Sequence, residues 1–310
     1  MNSPAKPSTS RIVIILTIGI LSVSTSAIFI RLAFQSANTN SIGFSLVLAA
    51  ARLTLASVAL IPVWRTLGDR PFQPRALYYS AGAGLFLAIH FAAWISSLSY
   101  TSIAASTSLV TTNPIWVALL SWLWYRDVPS RLTVIGMSLA LAGSVLISMG
   151  DGTSNIGTNP MLGNGLALLG SWAVSLYFLF GREAQQRGLA IRHHAAVTYS
   201  VGALLLLPLP LLLGTGYGNY PSSVYLYISF IALFPQLIGH TSLNWAVRWV
   251  SPTLVTLTIL AEPIGSSLLG YVVFRENPGP LVGLGALTIL LGVAIATLGA
   301  KRDVASPSSS

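Results

Sequence analysis

The chain has 310 residues, of which 54% are hydrophobic and only 7% are charged, with a formal net charge of +9. A water-soluble domain carries about a quarter charged residues, so this composition excludes an ordinary soluble protein. The absence of cysteine from the sequence excludes disulfides, thiolate zinc sites and Cys-ligated iron–sulfur clusters.

Ten apolar runs follow one another along the chain, and a run of about 20 residues can cross a bilayer as a helix. They cover residues 12–30, 42–64, 76–97, 103–125, 132–149, 161–180, 195–213, 223–247, 253–274 and 280–299. We therefore predict an all-α integral membrane protein with ten transmembrane helices. The short polar ends, including residues 301–310, are predicted to be disordered tails.

Positive charge is spread unevenly over the loops between these runs. Thirteen of the 16 Lys and Arg residues fall on one side of the membrane, while Arg31 and Arg275 fall on the other and Arg52 lies inside a run. Cytoplasmic loops are the ones enriched in Lys and Arg. This pattern predicts cytoplasmic termini in the plasma membrane. It also accounts for the basic balance without a nucleic-acid partner.

The first run has a second interpretation, because Lys6 and Arg11 precede an apolar stretch and then SVSTSA, as in a signal peptide. Cleavage there would leave nine helices. In the second run, Arg52 is the eleventh of 23 residues and therefore lies at mid-depth. In the third run His90, Trp94 and Ser97 share one helix face.

The fourth run contains Asn113 followed by Pro114. Proline lacks a backbone N–H and clashes with the carbonyl four residues earlier, so a kink is predicted near Val110. The chain then reaches the Gly- and Asn-rich segment 150–160, GDGTSNIGTNP, which is predicted to link two halves, residues 1–149 and 161–300. In the second half, His193 and His194 are predicted to lie in a basic cytoplasmic loop.

The eighth run carries a polar stripe made of Ser229, Gln236, His240 and Asn244. Such a stripe either joins helices by hydrogen bonds or lines a water-accessible route. Four polar groups in one line favour the route, to which we also assign His90, Trp94 and Asn113.

The ninth run places Glu262 near mid-depth, directly before Pro263. A charged side chain there costs about 2.5–3.5 kcal/mol on insertion scales, so a partner, a cavity or a proton is expected. Three interpretations remain open for Glu262: a structural ion pair with Arg52, binding of substrate, and exchange of a coupling proton. Pro263 predicts a kink near Ile259 that matches the one in the fourth run.

The two halves are related by an internal repeat. A shift of 149 residues aligns Pro114, Arg126, Asp127, Pro129, Leu132, Gly136 and Gly143 with Pro263, Arg275, Glu276, Pro278, Leu281, Gly285 and Gly292. Earlier in the chain the shift is 151 residues, which pairs Arg31 with Arg182. Five helices in each half would invert the second half relative to the first, a pattern typical of secondary transporters.

These features, with AEPIGSSLLGYVVFRENPGPLVGLGALTILLGVAIATLG closing the second half, resemble the EamA-like branch of the drug/metabolite transporter superfamily. The resemblance implies ten helices in two inverted five-helix repeats around a central cavity formed mainly by helices 3, 4, 8 and 9. It also implies export of amino acids or other small metabolites. The chain departs from the pattern in carrying Asn113 where the second half has Glu262, and Asp127 where glutamate is more usual.

We therefore expect a secondary transporter that moves a small polar or amphipathic metabolite, with membrane lipid around it and protons as a candidate coupling ion. The alternative is a membrane-embedded enzyme or a scaffold subunit, in which His90 or His240 would act beside Glu262. The sequence has no P-loop and no H-E-x-x-H motif, and no catalytic residue, metal or cofactor is predicted. Nothing in the sequence indicates an oligomeric state.

Overall fold

The computed structural model describes residues 7–69, 71–101, 106, 109–126, 128–150, 159–275 and 279–305. All regular secondary structure within these ranges is helical. The helices of the first half are α1 (Thr9–Ser24), α2 (Ser26–Ala37), α3 (Ile42–Ala59), α4 (Ile61–Trp64), α5 (Arg75–Ser97), α6 (Asn113–Tyr125) and α7 (Arg131–Gly150).

The second half begins with α8 (Pro160–Gln186), α9 (Ile191–Leu206), α10 (Pro208–Leu212) and α11 (Ser222–Ile231). A π-helix, Ala232–His240, then continues α11 into α12 (Thr241–Ala246). The chain ends with α13 (Pro252–Ile259), α14 (Glu262–Phe274) and α15 (Pro280–Ala305).

Among the described residues, seven helical segments are long and apolar enough to cross a membrane, so the chain is a multi-pass membrane protein. They are Thr9–Ala37, Ile42–Ala59, Arg75–Ser97, Met161–Gln186, Ile191–Leu212, Ser222–Ala246 and Pro252–Phe274. Two further apolar helices, Arg131–Leu146 and Gly283–Gly299, are shorter. The helix α6 has 13 residues, and residues 103–105 and 107–108 of the predicted run 103–125 lie outside the described residues. Ten membrane spans therefore remain a prediction.

Several predicted features fall in gaps of the description. Asp127, Glu276, Pro278 and most of the predicted linker, residues 151–158, lie outside the described residues. The helix α7 ends at Gly150 and α8 begins at Pro160, so the predicted boundary between the two halves lies between these helices. At the far end α15 continues to Ala305, into the segment predicted as a tail.

The position of His193 and His194 differs from the prediction of a basic loop. Both lie in the first turn of α9 and are buried. The ring of His194 is 2.8 Å from the Ser80 hydroxyl, and that of His193 is 3.0 Å from the Thr66 hydroxyl. Because these hydroxyls are hydrogen-bond partners for the two imidazole rings, α9 can begin at Ile191, before the predicted apolar run at residue 195.

The centre of the molecule forms where α5 packs against α8, α9 and α3. Leu87 and Phe91 of α5 are buried there together with Tyr177 and Phe178 of α8 and Tyr199 of α9. Because α5 and α8 belong to different halves, the two halves share one core.

The helices α7 and α15 pack against each other through glycines that leave no space for a side chain. A Cβ added at Gly292 would lie 2.5 Å from the backbone nitrogen of Ala140 and from the carbonyl oxygen of Gly136. A Cβ at Gly143 would lie 2.6 Å from the carbonyl oxygen of Gly285. Residue numbers rise along α7 while those of its partners fall, so the two helices are antiparallel.

Substitution within this glycine contact gives a first prediction. Gly292→Ala should lower the stability of the folded protein by about 1–3 kcal/mol, because the added methyl meets backbone atoms that cannot rotate away. The measurement is thermal unfolding of the detergent-purified protein, followed by tryptophan fluorescence.

The matched control is Gly283→Ala in the same helix, where an added Cβ meets nothing within 4 Å. Alanine exceeds glycine in helix propensity by up to about 1 kcal/mol, so this variant should unfold at the same or a higher temperature. Equal unfolding temperatures for the two variants would contradict the close contact.

Candidate functional site

Two helix breaks occur at positions related by the repeat. In the second half α13 ends at Ile259 and α14 begins at Glu262, with Pro263 as its second residue. In the first half a turn at residues 111–112 precedes α6, which begins at Asn113 with Pro114 as its second residue. The proline removes a backbone donor and prevents the earlier helix from continuing through it. Each break therefore places a polar side chain, Glu262 or Asn113, at the start of a new helix.

Two serines on neighbouring helices contact the backbone at these breaks. The hydroxyl of Ser24 in α1 lies 3.3 Å from the carbonyl oxygen of Glu262, and that of Ser175 in α8 lies 3.3 Å from the carbonyl oxygen of Asn113. Each hydroxyl shares its one hydrogen with a carbonyl of its own helix, that of Ile20 at 2.9 Å and that of Ser171 at 2.8 Å. Ser24 and Ser175 are 151 residues apart, which is the repeat shift for this part of the chain. In both halves, therefore, a serine on a neighbouring helix contacts the carbonyl oxygen of the residue that precedes the proline.

A cavity lies between the two breaks. It measures about 50 Å³ as the space open to the centre of a water molecule, enough for a few waters. Five of the predicted route residues line it: His90, Trp94, Asn113, His240 and Glu262. The remaining wall includes Ser26 and Thr111 among polar residues and Val23, Val110, Val174, Phe178, Pro235, Leu243 and Ile259 among apolar ones.

Several polar atoms of the wall lack a protein partner. They include Trp94 Nε1, Asn113 Oδ1 and His240 Nδ1, all of which are buried. His90 Nδ1 lies 2.9 Å from the carbonyl oxygen of Gly170, which can only accept, so Nδ1 carries the hydrogen. Burying an unpaired polar atom costs free energy. These three atoms are closed to water in this conformation, so a wider cavity would be needed to expose them.

Arg52 lies behind the cavity wall and is completely buried. Its guanidinium packs 3.8 Å from the ring centre of Phe91. Its Nε donates to Gln236 Oε1 at 3.1 Å and its Nη1 to Ser26 Oγ at 3.4 Å. No ion pair within 4.0 Å joins Arg52 to Glu262, although both belong to the described residues. In this conformation the partners of the arginine are neutral groups and an aromatic ring.

The four residues of the polar stripe predicted on the eighth run lie in four different environments. His240 lines the cavity, whereas Gln236 binds Arg52 behind the wall. Asn244 lies away from the cavity, where its carbonyl oxygen and its Oδ1 accept from Gln185 Nε2 at 2.6 and 3.1 Å. Ser229 is exposed and donates to the carbonyl oxygen of Tyr225 in its own helix.

The reason for this division is the π-helix Ala232–His240, which contains Pro235. A π-helix has more residues per turn than an α-helix, so spacing by 3.6 no longer predicts which side chains share a face. The π-helix was not predicted, and its signal in the sequence is Pro235 inside an apolar run. The contacts of Ser24 and Ser175 were not predicted either, although the repeat shift of 151 pairs these two residues.

The arrangement offers a carboxylate, two imidazoles and an indole to a small polar ligand. Among the described residues no hydrogen bond joins either cavity histidine to Glu262. The cavity lies where two helix breaks meet, with one polar residue from each break on its wall.

Comparison with known proteins adds independent findings. The sequence model of the EamA-like transporter family matches residues 10–149 and 161–298, one stretch in each half. A probable terminal-alkyne amino-acid exporter of Streptantibioticus cattleyicolor is 24% identical over 270 residues, covering 84% of this chain and 87% of the relative. An uncharacterized inner membrane transporter of Escherichia coli is 24% identical and covers 84% of each chain.

A crystal structure at 21% identity covers 95% of this chain and 99% of that one, with a TM-score of 0.75. The chain therefore shares the fold of that solved protein.

The two serine contacts give a second prediction. Ser24→Ala and Ser175→Ala should each lower the free energy of unfolding by about 0.6 kcal/mol, the mean value of a hydrogen bond between membrane helices. The control is Ser229→Ala, whose hydroxyl bonds only within its own helix and should have little effect. Thermal unfolding in detergent is the measurement. An effect of Ser229→Ala as large as that of the other two would contradict the role of the kink contacts.

Proposed function

The chain belongs to the EamA-like transporter family, and from this we propose that it is a secondary transporter that works by alternating access. Its cargo is a small polar or amphipathic metabolite, such as an amino acid, exported across the plasma membrane. The observation that carries the proposal is the cavity between two equivalent helix breaks, one in each half. Interrupted helices at matching positions of a repeat are the best structural pointer to the binding site of such transporters.

Inversion of the two halves is supported by the contact between α7 and α15. Gly143 meets Gly285 and Ile289, and the same contact with the halves exchanged is that of Gly292 with Gly136 and Ala140. The helices run antiparallel, so a two-fold axis that exchanges them lies perpendicular to both. An axis in that direction lies in the plane of the membrane, which is the relation expected of ten spans in two inverted five-helix repeats.

The ends of the helices that follow the breaks repeat the same relation. Arg126 and Arg275, which are 149 residues apart, end α6 and α14 in the left-handed conformation, with φ of 61° and 58°. A residue other than glycine adopts this conformation at a cost of about 1–2 kcal/mol. Its recurrence at equivalent positions supports duplication of a whole structural unit.

Alternating access needs one closure on each side of the cavity, and two equivalent contacts fit that need. The Arg31 guanidinium lies 4.3 Å from the ring centre of Phe274, and that of Arg182 lies 4.7 Å from the ring centre of Tyr125. The repeat shifts pair Arg31 with Arg182 and Phe274 with Tyr125. In the predicted topology the first contact is on the outer side and the second on the cytoplasmic side.

Further bonds strengthen the contact on the cytoplasmic side. The Tyr125 hydroxyl donates to Glu183 Oε1 at 2.7 Å, and the other oxygen of Glu183 pairs with Arg187. The Arg187 guanidinium lies 4.3 Å from the ring centre of Tyr79. These bonds link α6, α8 and α5, and hydrogen bonds to charged groups are stronger than neutral ones. We infer that this group, Tyr79, Tyr125, Glu183 and Arg187, is the cytoplasmic gate.

Glu262 is the group we assign to the transport cycle. It lies at the start of α14, on the cavity wall and next to the break, so any rotation of α14 about the break moves its carboxylate. Arg52 is held by Gln236 and Ser26 rather than by Glu262. The carboxylate is therefore available to bind a substrate amine or to exchange a proton as the cavity opens to each side.

Removal of this charge gives a third prediction. Glu262→Gln keeps the size of the side chain but should reduce uptake or efflux of an amino-acid panel in proteoliposomes about tenfold or more. The estimate follows from the loss of a charged hydrogen bond, worth about 1.5–3 kcal/mol. If the carboxylate exchanges a proton, wild-type transport varies with pH and the remaining transport by the variant does not.

The control for this experiment is Asp69→Asn, which removes the same charge from an exposed side chain. Undiminished transport by Glu262→Gln would contradict a role for the carboxylate. Absence of transport by the wild type across the panel would contradict the proposed function for those cargoes.

The cytoplasmic gate gives a fourth prediction, which the absence of cysteine makes simple to test. In a Val174→Cys background the new thiol lies on the cavity wall. Adding Tyr125→Phe deletes the hydroxyl that donates to the Glu183 carboxylate, so a membrane-impermeant thiol reagent applied from the cytoplasmic side should label Cys faster, by about tenfold or more.

The control is Tyr78→Phe, a neighbouring tyrosine that is 77% exposed and should leave the labelling rate unchanged. Labelling of the same Cys from the outer side reports on the closure formed by Arg31 and Phe274. If Tyr125→Phe leaves the cytoplasmic rate unchanged, or changes both sides equally, Glu183 and Tyr125 do not act as a gate.

A further inference from the structure

The described residues of the cavity wall include an acidic side chain but no Lys or Arg. Among the described residues that line the cavity, Glu262 is the one with an acidic side chain, and no Lys or Arg lines it. The undescribed residues just before the fourth-run break, 102–105 and 107–108, are Ser, Ile, Ala, Ala, Thr and Ser, none of which is ionisable. Among its described residues, the wall thus carries one acidic side chain and no Lys or Arg to pair with it.

Several hydrogen-bond acceptors belong to this wall. The Glu262 carboxylate supplies two oxygens, and Asn113 Oδ1 is buried without a partner among the described residues. Because His90 Nδ1 donates its hydrogen to Gly170, the neutral ring leaves Nε2 as an acceptor. Donors are also present, since Trp94 Nε1 is without a partner among the described residues and the neutral ring of His240 carries one N–H. A primary ammonium group, with three N–H donors and no acceptor, complements such a wall.

The cation that could neutralise a substrate carboxylate is held away from the cavity. Arg52 stacks on Phe91 and bonds to Gln236 and Ser26, and of these partners only Ser26 lines the cavity. A carboxylate placed in the cavity would lose its water without gaining an ion pair. Burial of an unpaired charge is strongly unfavourable.

The rest of the wall suits a flat or branched apolar body. The rings of His90 and Trp94 stack at 5.8 Å with an angle of 11° between their planes. Phe178 and several aliphatic side chains surround the remaining space. The face of a tryptophan also attracts an organic cation. The small volume of the cavity favours a compact ligand, and the cavity must widen when such a ligand binds.

We propose that the cavity recognises small apolar primary amines through their ammonium group and does not require a carboxylate on the ligand. This inference rests on the proposed transport function and narrows the cargo within it. The Glu262 carboxylate accepts from the ammonium, and Asn113 Oδ1 becomes a second acceptor as the cavity widens on binding, while Trp94 packs against the apolar body.

The test compares ligands that share one apolar body. Two trios serve: leucine, 3-methylbutylamine and 4-methylpentanoate, and phenylalanine, 2-phenylethylamine and 3-phenylpropanoate. Binding to the purified full chain in detergent at neutral pH is measured by isothermal titration calorimetry. This readout avoids the passive leakage of amines through liposomes. The amine of each trio should bind at least about tenfold more tightly than the amino acid, and the acid should not bind detectably.

Two variants identify the groups responsible. Glu262→Gln and Asn113→Leu should each weaken binding of 2-phenylethylamine, the former by about tenfold or more, whereas Asp69→Asn should leave it unchanged. If a variant fails to fold, the wild-type comparison decides alone. Amino acids that bind as tightly as the amines, or acids that bind at all, overturn the proposal, as does amine binding that survives Glu262→Gln.

Failure of this inference is distinguishable from failure of the transport function. Transport of leucine or phenylalanine in proteoliposomes, combined with weak binding of the corresponding amines, would leave the transporter and refute the amine preference. An absence of both transport and binding for every member of the two trios would refute both.

Discussion

The satisfaction of backbone hydrogen bonds within lipid is the constraint on which the rest of this structure depends. A membrane helix may be interrupted only where another group takes over the bonds that are lost. Here α6 and α14 begin one residue before Pro114 and Pro263, and Ser175 and Ser24 contact the carbonyl oxygens that precede each proline. Neighbouring helices thereby contact the backbone at each break, and Glu262 and Asn113 line the cavity between the two breaks.

The same constraint governs the buried charge. Arg52 sits among Phe91, Gln236 and Ser26, so its charge is stabilised by a ring and by dipoles without neutralising the carboxylate of Glu262. A direct pair between the two would have been a stable structural element with no group left for a ligand. Separation of the two charges by one layer of side chains leaves the acid on the wall and the base behind it. The chemistry of the cavity follows from that separation.

Much of this could be predicted from the sequence because hydrophobic runs, prolines and the repeat are local or pairwise signals. The family, the membrane class and the two break positions could be inferred in this way, as could the residues His90, Trp94, Asn113, His240 and Glu262 that line the cavity. Gln236 and Asn244 lie elsewhere because a π-helix changes the spacing of faces, and spacing rules assume a regular helix. The buried positions of His193 and His194 depended on hydroxyls from distant segments, which no local pattern encodes.

The glycine contact between α7 and α15 has a consequence for how the molecule can vary. Where two backbones touch without intervening side chains, there are no rotamers to absorb a sliding movement, so we expect this pair of helices to behave as one rigid unit. The same contact limits which substitutions can be inherited. A larger residue at Gly292 could be accommodated only together with a retreat of the backbone around Gly136 and Ala140, so these positions should change in concert or not at all.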